Sequence, residues 1–110
     1  MEILKSYNIT DKRDRYNLCK AQGVNLSDMV GQRIEVKAYM LLEEADNQTG
    51  ELRKTLKILT PDGEIIGTRS RTFINDFCDF LTFMEDDAID SFGVEQKRSS
   101  SGRNYLVFKA

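Results

Sequence analysis

The clearest hydrophobic pattern in the chain is a strict alternation over the eleven residues 33–43 (RIEVKAYMLLE). Apolar side chains recur at every second position from Ile34 onwards, and Tyr39 falls among the polar positions between them. A period of two is typical of a half-buried strand, and this length is enough to curve around a barrel. The pattern therefore predicts one long strand with Arg33, Lys37 and Tyr39 facing solvent.

Shorter stretches with the same alternation predict the remaining strands. Leu56 and Ile58 point to one side of residues 51–60, and polar residues occupy the positions between and before them. The segment Pro61-Asp62-Gly63 that follows is typical of a tight turn, because proline fixes one φ angle and glycine accepts a positive one. The chain is therefore expected to fold back here as a hairpin. By similar patterns we expect strands at 13–21, 51–60, 64–69, 91–98 and 105–109, and a short turn or a single helical turn at 25–31.

The hydrophobic periodicity changes after Ser70. Apolar residues then recur every three or four positions from Phe73 to Met84, which is typical of an amphipathic helix. Serine is a favourable residue for the N-cap of such a helix. The pattern therefore predicts one α-helix over residues 71–84, with its phenylalanines in the core.

The order of these elements indicates a mainly β fold. Five or six strands, with a single α-helix between the third-strand hairpin and the last two strands, match an OB-fold-like barrel. An α+β sheet covered by one helix is the alternative architecture. We expect an N-terminal arm or short strand at residues 1–12 and a single OB-like domain at residues 13–110.

The residue types that the chain lacks narrow its chemistry. It contains no histidine, which removes the catalytic dyads and metal sites that use imidazole. Its two cysteines, Cys19 and Cys78, form no CxxC pair, and two sulfurs alone do not build a zinc site. Both are expected to be free thiols. We therefore expect no enzyme activity, no metal and no cofactor.

Charge and hydropathy bear on partners and location. The chain has 16 basic and 18 acidic residues and a net charge of −2, so a nucleic-acid surface has to be local. No apolar run approaches the roughly 20 residues that a membrane span requires. The first residues lack the pattern of a signal peptide. We expect a cytoplasmic protein that does not enter membranes.

Basic and aromatic side chains occur together on the outward faces of the predicted strands. Single-stranded nucleic acid requires cations that follow its phosphates and flat rings that stack on its bases. Positions on neighbouring strands lie about 5 Å apart, so such side chains can form one surface. An ordinary solvated sheet face is the alternative explanation. The candidate contacts are Arg33, Lys37, Tyr39, Arg53, Lys57, Lys97, Arg103 and Tyr105, and the predicted first strand adds Arg15, Tyr16 and Lys20 in an undefined register.

Several short motifs follow one another in order between Leu26 and Lys109. They are Gly31-Gln-Arg-Ile-Glu35, the Asp62-Gly63 turn, Ser70-Arg-Thr72, Phe92-Gly-Val94, Ser99-Ser-Ser-Gly102 and Tyr105-Leu-Val-Phe108. In this order the chain resembles the small single-stranded-DNA-binding proteins of protein-primed tailed phages. The resemblance implies an OB-fold protein that coats displaced strands during DNA replication and stacks tyrosines on bases. The first 25 residues lie outside it.

The residues and the resemblance together predict a sequence-tolerant single-stranded-DNA-binding protein of phage or mobile-element replication, located in the host cytoplasm. We expect Tyr39 and Tyr105 to stack on bases, and Tyr39→Ala to weaken binding without unfolding the chain. RNA as a ligand, replication proteins as partners and self-association stay open. A non-catalytic module that binds a protein through a strand edge is the alternative function, and a Mg²⁺-dependent nuclease is a third.

Overall fold

Eight strands and two α-helices make up the fold, and the computed structural model describes all residues from Met1 to Ala110. A 3₁₀ turn at Leu26–Met29 lies at the predicted helical turn. In chain order the elements are β1 (Glu2–Tyr7), α1 (Lys12–Lys20), β2 (Val24–Asn25), β3 (Arg33–Glu35), β4 (Ala38–Ala45), β5 (Leu52–Leu59), β6 (Ile65–Thr68), α2 (Arg71–Met84), β7 (Ser91–Arg98) and β8 (Asn104–Lys109). The prediction of a mainly β fold is confirmed.

The strands form two sheets. The first has five strands in the order β1-β4-β5-β6-β2, and the second has three in the order β3-β7-β8. All neighbouring strands are antiparallel except β2 and β6, which are parallel. Both sheets keep free edges, so the strands do not close into the predicted barrel.

The long strand predicted at 33–43 is interrupted at Val36 and Lys37. The N–H of Val36 donates to the carbonyl of Asp90 at 2.9 Å, and the N–H of Lys37 donates to the carbonyl of Leu59 at 2.8 Å. As a result β3 pairs with β7 in one sheet, while β4 pairs with β5 in the other. The prediction of a single uninterrupted strand is wrong, because the chain passes from one sheet to the other at this point.

Residues 13–21 were predicted as the first strand, and that prediction is wrong because they belong to helix α1. The carboxylate of Asp11 caps this helix by accepting hydrogen bonds from the N–H groups of Arg13 and Asp14. A capped segment without strict alternation favours a helix over a strand. The prediction of a single α-helix is wrong for the same reason.

A small second core lies between α1 and the five-stranded sheet and consists of Ile9, Leu18, Ala38, Met40 and Leu42.

Helix α2 spans the residues that the sequence predicts, Arg71–Met84. The Oγ atom of Ser70 accepts a hydrogen bond from the N–H of Phe73 at 3.2 Å, as expected of an N-cap. The predicted β5–β6 hairpin is also confirmed, and the strands predicted at 91–98 and 105–109 pair as a second hairpin, β7–β8. Strand β8 begins one residue earlier than predicted, at Asn104.

The main core lies between the two sheets and α2. Four aromatic rings form its centre, with centroid distances between 5.5 and 6.0 Å, and they belong to Phe73, Phe77, Phe92 and Phe108. The helix phenylalanines at positions 73 and 77 are fully buried as predicted, and Phe80 packs partly against the core, whereas Phe83 is 84% exposed and lies outside it. This packing holds the first turn of α2 beside the five-stranded sheet.

Candidate functional site

The eight residues predicted to bind a ligand lie in three separate regions. The first region is the junction of β3 and β4, which carries Lys37 and Tyr39. The second is strand β5, with Arg53 and Lys57. The third is the three-stranded sheet and its β7–β8 turn, with Arg33, Lys97, Arg103 and Tyr105. The structure therefore does not bring them onto one continuous surface.

Tyr39 faces the core, so the prediction that it faces solvent is wrong. Its side chain is 0% exposed, and its hydroxyl donates a hydrogen bond of 2.8 Å to the backbone carbonyl of Asp87. Its ring stacks on Tyr7 and meets the ring of Phe77 edge-on. The change of sheet between β3 and β4 shifts the alternation by one residue and turns this side chain inwards. Burial, followed by the charge of Asp87, raises the pKa of Tyr39. A ring in this position cannot stack on a base.

Two of the predicted phosphate contacts hold the fold together. The guanidinium group of Arg33 donates to Ser91 Oγ at 3.1 Å and to the carbonyl of Ala110 at 3.4 Å. The ammonium group of Lys57 donates to the carbonyl of Ala21, the C-cap residue of α1. A cation is favourable there because the carbonyl groups of a helix C-terminus carry partial negative charge. Both cations are therefore less available to a ligand than the sequence suggests.

The outer face of the three-stranded sheet brings two of the predicted residues together. Lys97 lies directly opposite Tyr105 in the β7–β8 ladder, whereas Arg33 on β3 lies opposite Gly93, four residues along β7 from Lys97. Tyr105 is 36% exposed. An ion pair of 4.0 Å between Glu95 and Lys109 links the same two strands. We call the predicted residues of this region, Arg33, Lys97, Arg103 and Tyr105, the β7–β8 surface.

A basic cleft of about 630 Å³ lies between the β4–β5 hairpin, the end of β6 and the start of α2. The exposed side chain of Leu52 forms part of its wall. The charged residues that line this cleft are the cations Arg53, Lys54, Arg69 and Arg71 and the carboxylates Glu43 and Glu51. Cations therefore outnumber carboxylates by two to one in a concave region at the end of the sheet.

One of these cations, Arg53, is partly neutralised by Asp46. Their side chains approach to 3.4 Å. Hydrogen bonds from the backbone N–H groups of Gln48 and Thr49 lower the pKa of Asp46, and Arg53 acts in the same direction. Asp46 therefore keeps its negative charge. The other three cations of the cleft form no ion pair.

A second depression lies on the face of the five-stranded sheet that carries α1, whereas the basic cleft opens towards α2. This depression, of about 410 Å³ between the end of α1 and strands β5 and β6, shares Arg69 with the cleft. A third depression of about 300 Å³ beside α1 shares Cys19 with the second. We call these three separate depressions together the sheet groove. Its cations are Lys12, Arg15, Arg53, Lys54, Lys57, Arg69 and Arg71, and its carboxylates are Glu43, Glu44 and Glu51.

The sheet groove reverses the charge balance of the chain. Seven cations and three carboxylates line it, whereas the whole chain has a net charge of −2. A concave surface lined mainly by one sign of charge focuses the electrostatic field and attracts ligands of the opposite sign. The three depressions are therefore expected to attract anions.

Tyr16 supplies an aromatic ring to the sheet groove. Its side chain is 63% exposed and lines the depression beside α1. Lys12 and Lys20 lie four residues before and after it, and residues at this spacing share one face of a helix. The sequence analysis missed this face because it predicted a strand at 13–21. In a strand every second residue shares a face, whereas in a helix residues four positions apart do.

Four cations of the sheet groove were not among the predicted contacts: Lys12 at the start of α1, and three that line the basic cleft. Lys54 lies on β5, Arg69 follows β6, and Arg71 is the first residue of α2. They meet because the turn from β6 into α2 lies beside the β4–β5 hairpin. The one feature of the sequence that could have indicated this cleft is the pair of arginines on either side of the Ser70 N-cap. Local patterns give no sign that these arginines lie beside β5.

Other kinds of site have less support in the structure. No group of three or more His, Cys, Asp or Glu side chains is placed to hold a metal ion. Cys19 and Cys78 are both free and half-buried, and burial raises the pKa of the Cys78 thiol. Neither α-helix has the length and apolar composition needed to cross a bilayer. Comparison of the chain with protein-family models, curated proteins and solved structures finds no match.

Proposed function

We propose that this protein binds single-stranded DNA with little dependence on sequence, and that the strand lies in the sheet groove. The observation that carries the proposal is the excess of cations over carboxylates in the three depressions, one of which also contains the exposed ring of Tyr16, in a chain of net negative charge. Cations along a groove neutralise the phosphates of a single strand, and an aromatic ring stacks on any base. Lys54, Arg69 and Arg71 suit this role best because no carboxylate pairs with them.

The order of strand pairing supports an OB-like architecture. When β3 and β4 are counted as one bent strand, the pairing order is β6-β5-β4/β3-β7-β8, and α2 lies between β6 and β7 in the chain. An OB-fold is a partly open five-stranded Greek-key barrel that binds oligonucleotides on the face of its second and third strands. Strands β5 and β6 take those two positions here, and the sheet groove runs over them. On this view β1, α1 and β2 are additions to the OB-like part.

The motif order between Gly31 and Phe108 supports a role in DNA replication. This order resembles the single-stranded-DNA-binding proteins of protein-primed tailed phages. In that role the protein coats and protects displaced strands of phage or mobile-element DNA in the host cytoplasm. It acts without catalysis or a cofactor and alongside replication proteins, and RNA is a second ligand to test.

The β7–β8 surface is the alternative position for the DNA strand. Two double variants of equal charge separate the two positions: Arg69→Ala with Arg71→Ala in the sheet groove, and Lys97→Ala with Arg103→Ala on the β7–β8 surface. The anisotropy of a labelled oligo-dT measures their affinities at several salt concentrations. We expect the groove variant to reduce the slope of log affinity against log salt by about 1.4, since each lost phosphate contact removes about 0.7.

The comparison of these variants has three outcomes. A loss confined to the groove variant supports the proposed path of the strand. A loss confined to the β7–β8 variant moves the strand to that surface and contradicts the path. A folded wild-type protein that leaves the anisotropy unchanged at low salt overturns the proposed function.

The free strand edges favour a non-catalytic protein-interaction module as the second candidate function. Strand β8 is the edge of the three-stranded sheet, and an unpaired edge can accept an extended segment of another protein. This alternative predicts no affinity for oligonucleotides at low salt. It also predicts that amide hydrogen exchange in β8 slows when the partner protein is added.

A further inference from the structure

Strand β1 is an exposed edge with apolar side chains. It pairs only with β4, and Ile3 and Leu4 are each 39% exposed. An edge strand offers unpaired N–H and C=O groups to another strand, and proteins commonly protect such an edge with proline or several charges. β1 contains no proline and only two charged residues, Glu2 and Lys5. The edge is therefore unpaired, and its protection is limited to these charges and the irregularity of its ladder with β4.

A register shift places these two charges on the same face of β1. Glu2 pairs with Glu43 and Lys5 pairs with Leu41, two residues away on β4, and the ladder is irregular between Ile3 and Lys5. In a regular strand, residues three positions apart point to opposite faces. Because of the shift, Glu2 and Lys5 point to one face, so another strand can contact both.

Glu2 has no cation partner within its own chain. It lies directly opposite Glu43, and like charges in opposed positions destabilise a sheet. It takes part in none of the ion pairs of the structure. Lys5 approaches Asp87 to 2.9 Å, but both side chains are solvent-accessible, and such pairs contribute little to stability. A second cation beside Glu2 would therefore be favourable.

We propose that β1 pairs with β1 of a second copy of this chain, antiparallel, to form a two-fold symmetric dimer. When Glu2 of one copy lies opposite Lys5 of the other, the symmetry creates the same pair twice and brings Ile3 and Leu4 of both copies close to the two-fold axis. The strand is then complementary to itself in both charge and hydrophobicity, as an isologous interface requires. The pairing joins two five-stranded sheets into one continuous sheet.

This pairing also brings the two sheet grooves together. Directly opposed residues of paired strands share a face, so α1 of both copies lies on the same side of the joined sheet. Ile3 and Tyr16 line the depression beside α1, at the joined edge. A DNA strand then passes from one groove to the next. This consequence rests on the proposed function, whereas the pairing itself does not.

Sedimentation velocity without DNA tests the pairing. For the wild-type chain we expect a mass that rises with concentration towards twice 12.6 kDa. Glu2→Lys sets lysine opposite lysine in both pairs, and we expect a dissociation constant at least about tenfold higher. Adding Lys5→Glu to Glu2→Lys recreates both pairs with the charges exchanged, and we expect it to restore the dimer.

The folded state of each variant is checked by far-UV circular dichroism and thermal melting. Glu2→Lys places a lysine opposite Glu43, so the monomer loses no favourable contact. A wild-type chain that stays monomeric at every concentration overturns the proposal, and so does a Glu2→Lys variant that dimerises like the wild type. A folded double variant that remains monomeric overturns the proposed register. Because no DNA is present in this experiment, a monomeric protein would contradict the proposed dimer without bearing on DNA binding. A protein that dimerises but does not bind DNA would contradict the proposed function without bearing on the dimer.

Discussion

The hydroxyl of Tyr39 donates a hydrogen bond of 2.8 Å to the backbone carbonyl of Asp87. The bond ties strand β4 to the loop that follows α2, and the tyrosine ring packs edge-on against Phe77 in the core. Tyr39 therefore belongs to the fold, although its place in an alternating pattern suggested a DNA contact. Its substitution is expected to act on stability first.

Replacement of Tyr39 by alanine removes a fully buried ring. We expect the free energy of unfolding to fall by about 3–5 kcal/mol, as for other large aromatic residues in a core. Tyr39→Phe keeps the ring and removes only the hydroxyl, so its cost is expected to be about 1 kcal/mol. Urea unfolding at neutral pH measures both variants. An alanine variant as stable as the wild type would contradict the buried position of this side chain.

The stability of the fold should also depend on alkaline pH through Tyr39. Burial, and then the charge of Asp87, raises the pKa of this phenol above the 10.0 of an unperturbed tyrosine. The folded chain therefore holds a proton that the unfolded chain loses above that pH. The associated stability is complete below pH 10 and declines as the pH rises further. We expect the unfolding free energy to fall more steeply for the wild type than for Tyr39→Phe from about pH 9 to 11, and equal slopes would contradict this account.

The glycine before β2 is required by a close backbone approach. A Cβ atom on Gly23 would lie 2.0 Å from the carbonyl oxygen of Ile65, whereas one on Gly67 would lie 3.7 Å from the nearest atom, in the side chain of Lys57. We expect Gly23→Ala to destabilise the chain by about 1–3 kcal/mol, because β2 has to move away from β6. Gly67→Ala is the matched control, and thermal melting should show little change for it. Equal melting temperatures for the two variants would contradict the approach of these strands.

Tyr16 is expected to stack on a base. Tyr16→Ala should weaken binding to oligo-dT by about 1–3 kcal/mol, and it should leave the salt dependence nearly unchanged because no charge is removed. Tyr105→Ala on the β7–β8 surface is the matched control, and we expect wild-type affinity for it. Fluorescence anisotropy at fixed salt measures both variants. If Tyr105→Ala proves to be the weaker binder, the DNA strand does not follow the sheet groove.

Local patterns in the sequence were sufficient for elements whose form is decided locally. Helix α2 combines a three-to-four residue apolar period with the Ser70 cap, and its bounds agree with the prediction. The β5–β6 hairpin follows from alternation on both sides of a turn in which Gly63 has a φ of 89°. In each case neighbouring residues in the chain supply the determining contacts.

Contacts between distant residues decided the parts that could not be predicted. The break after β3 depends on hydrogen bonds from Val36 and Lys37 to two different sheets, and an alternating sequence carries no sign of it. This break turned Tyr39 inwards. In the same way, Lys54 and Arg71 line the same basic cleft only because the β4–β5 hairpin lies beside the start of α2. The charge pattern along the chain therefore predicted that the candidate site is cationic, but it did not predict which residues form it.

Intrinsic tyrosine fluorescence during titration with poly(dT) tests the central claim most directly. The chain contains four tyrosines and no tryptophan, so the signal reports on tyrosine surroundings alone. We predict a saturable quenching at low salt that reverses when salt is added, and that is largely lost in Tyr16→Phe or Tyr16→Ala. Unchanged fluorescence, together with no co-sedimentation of the protein with poly(dT) at low salt, would contradict single-stranded-DNA binding.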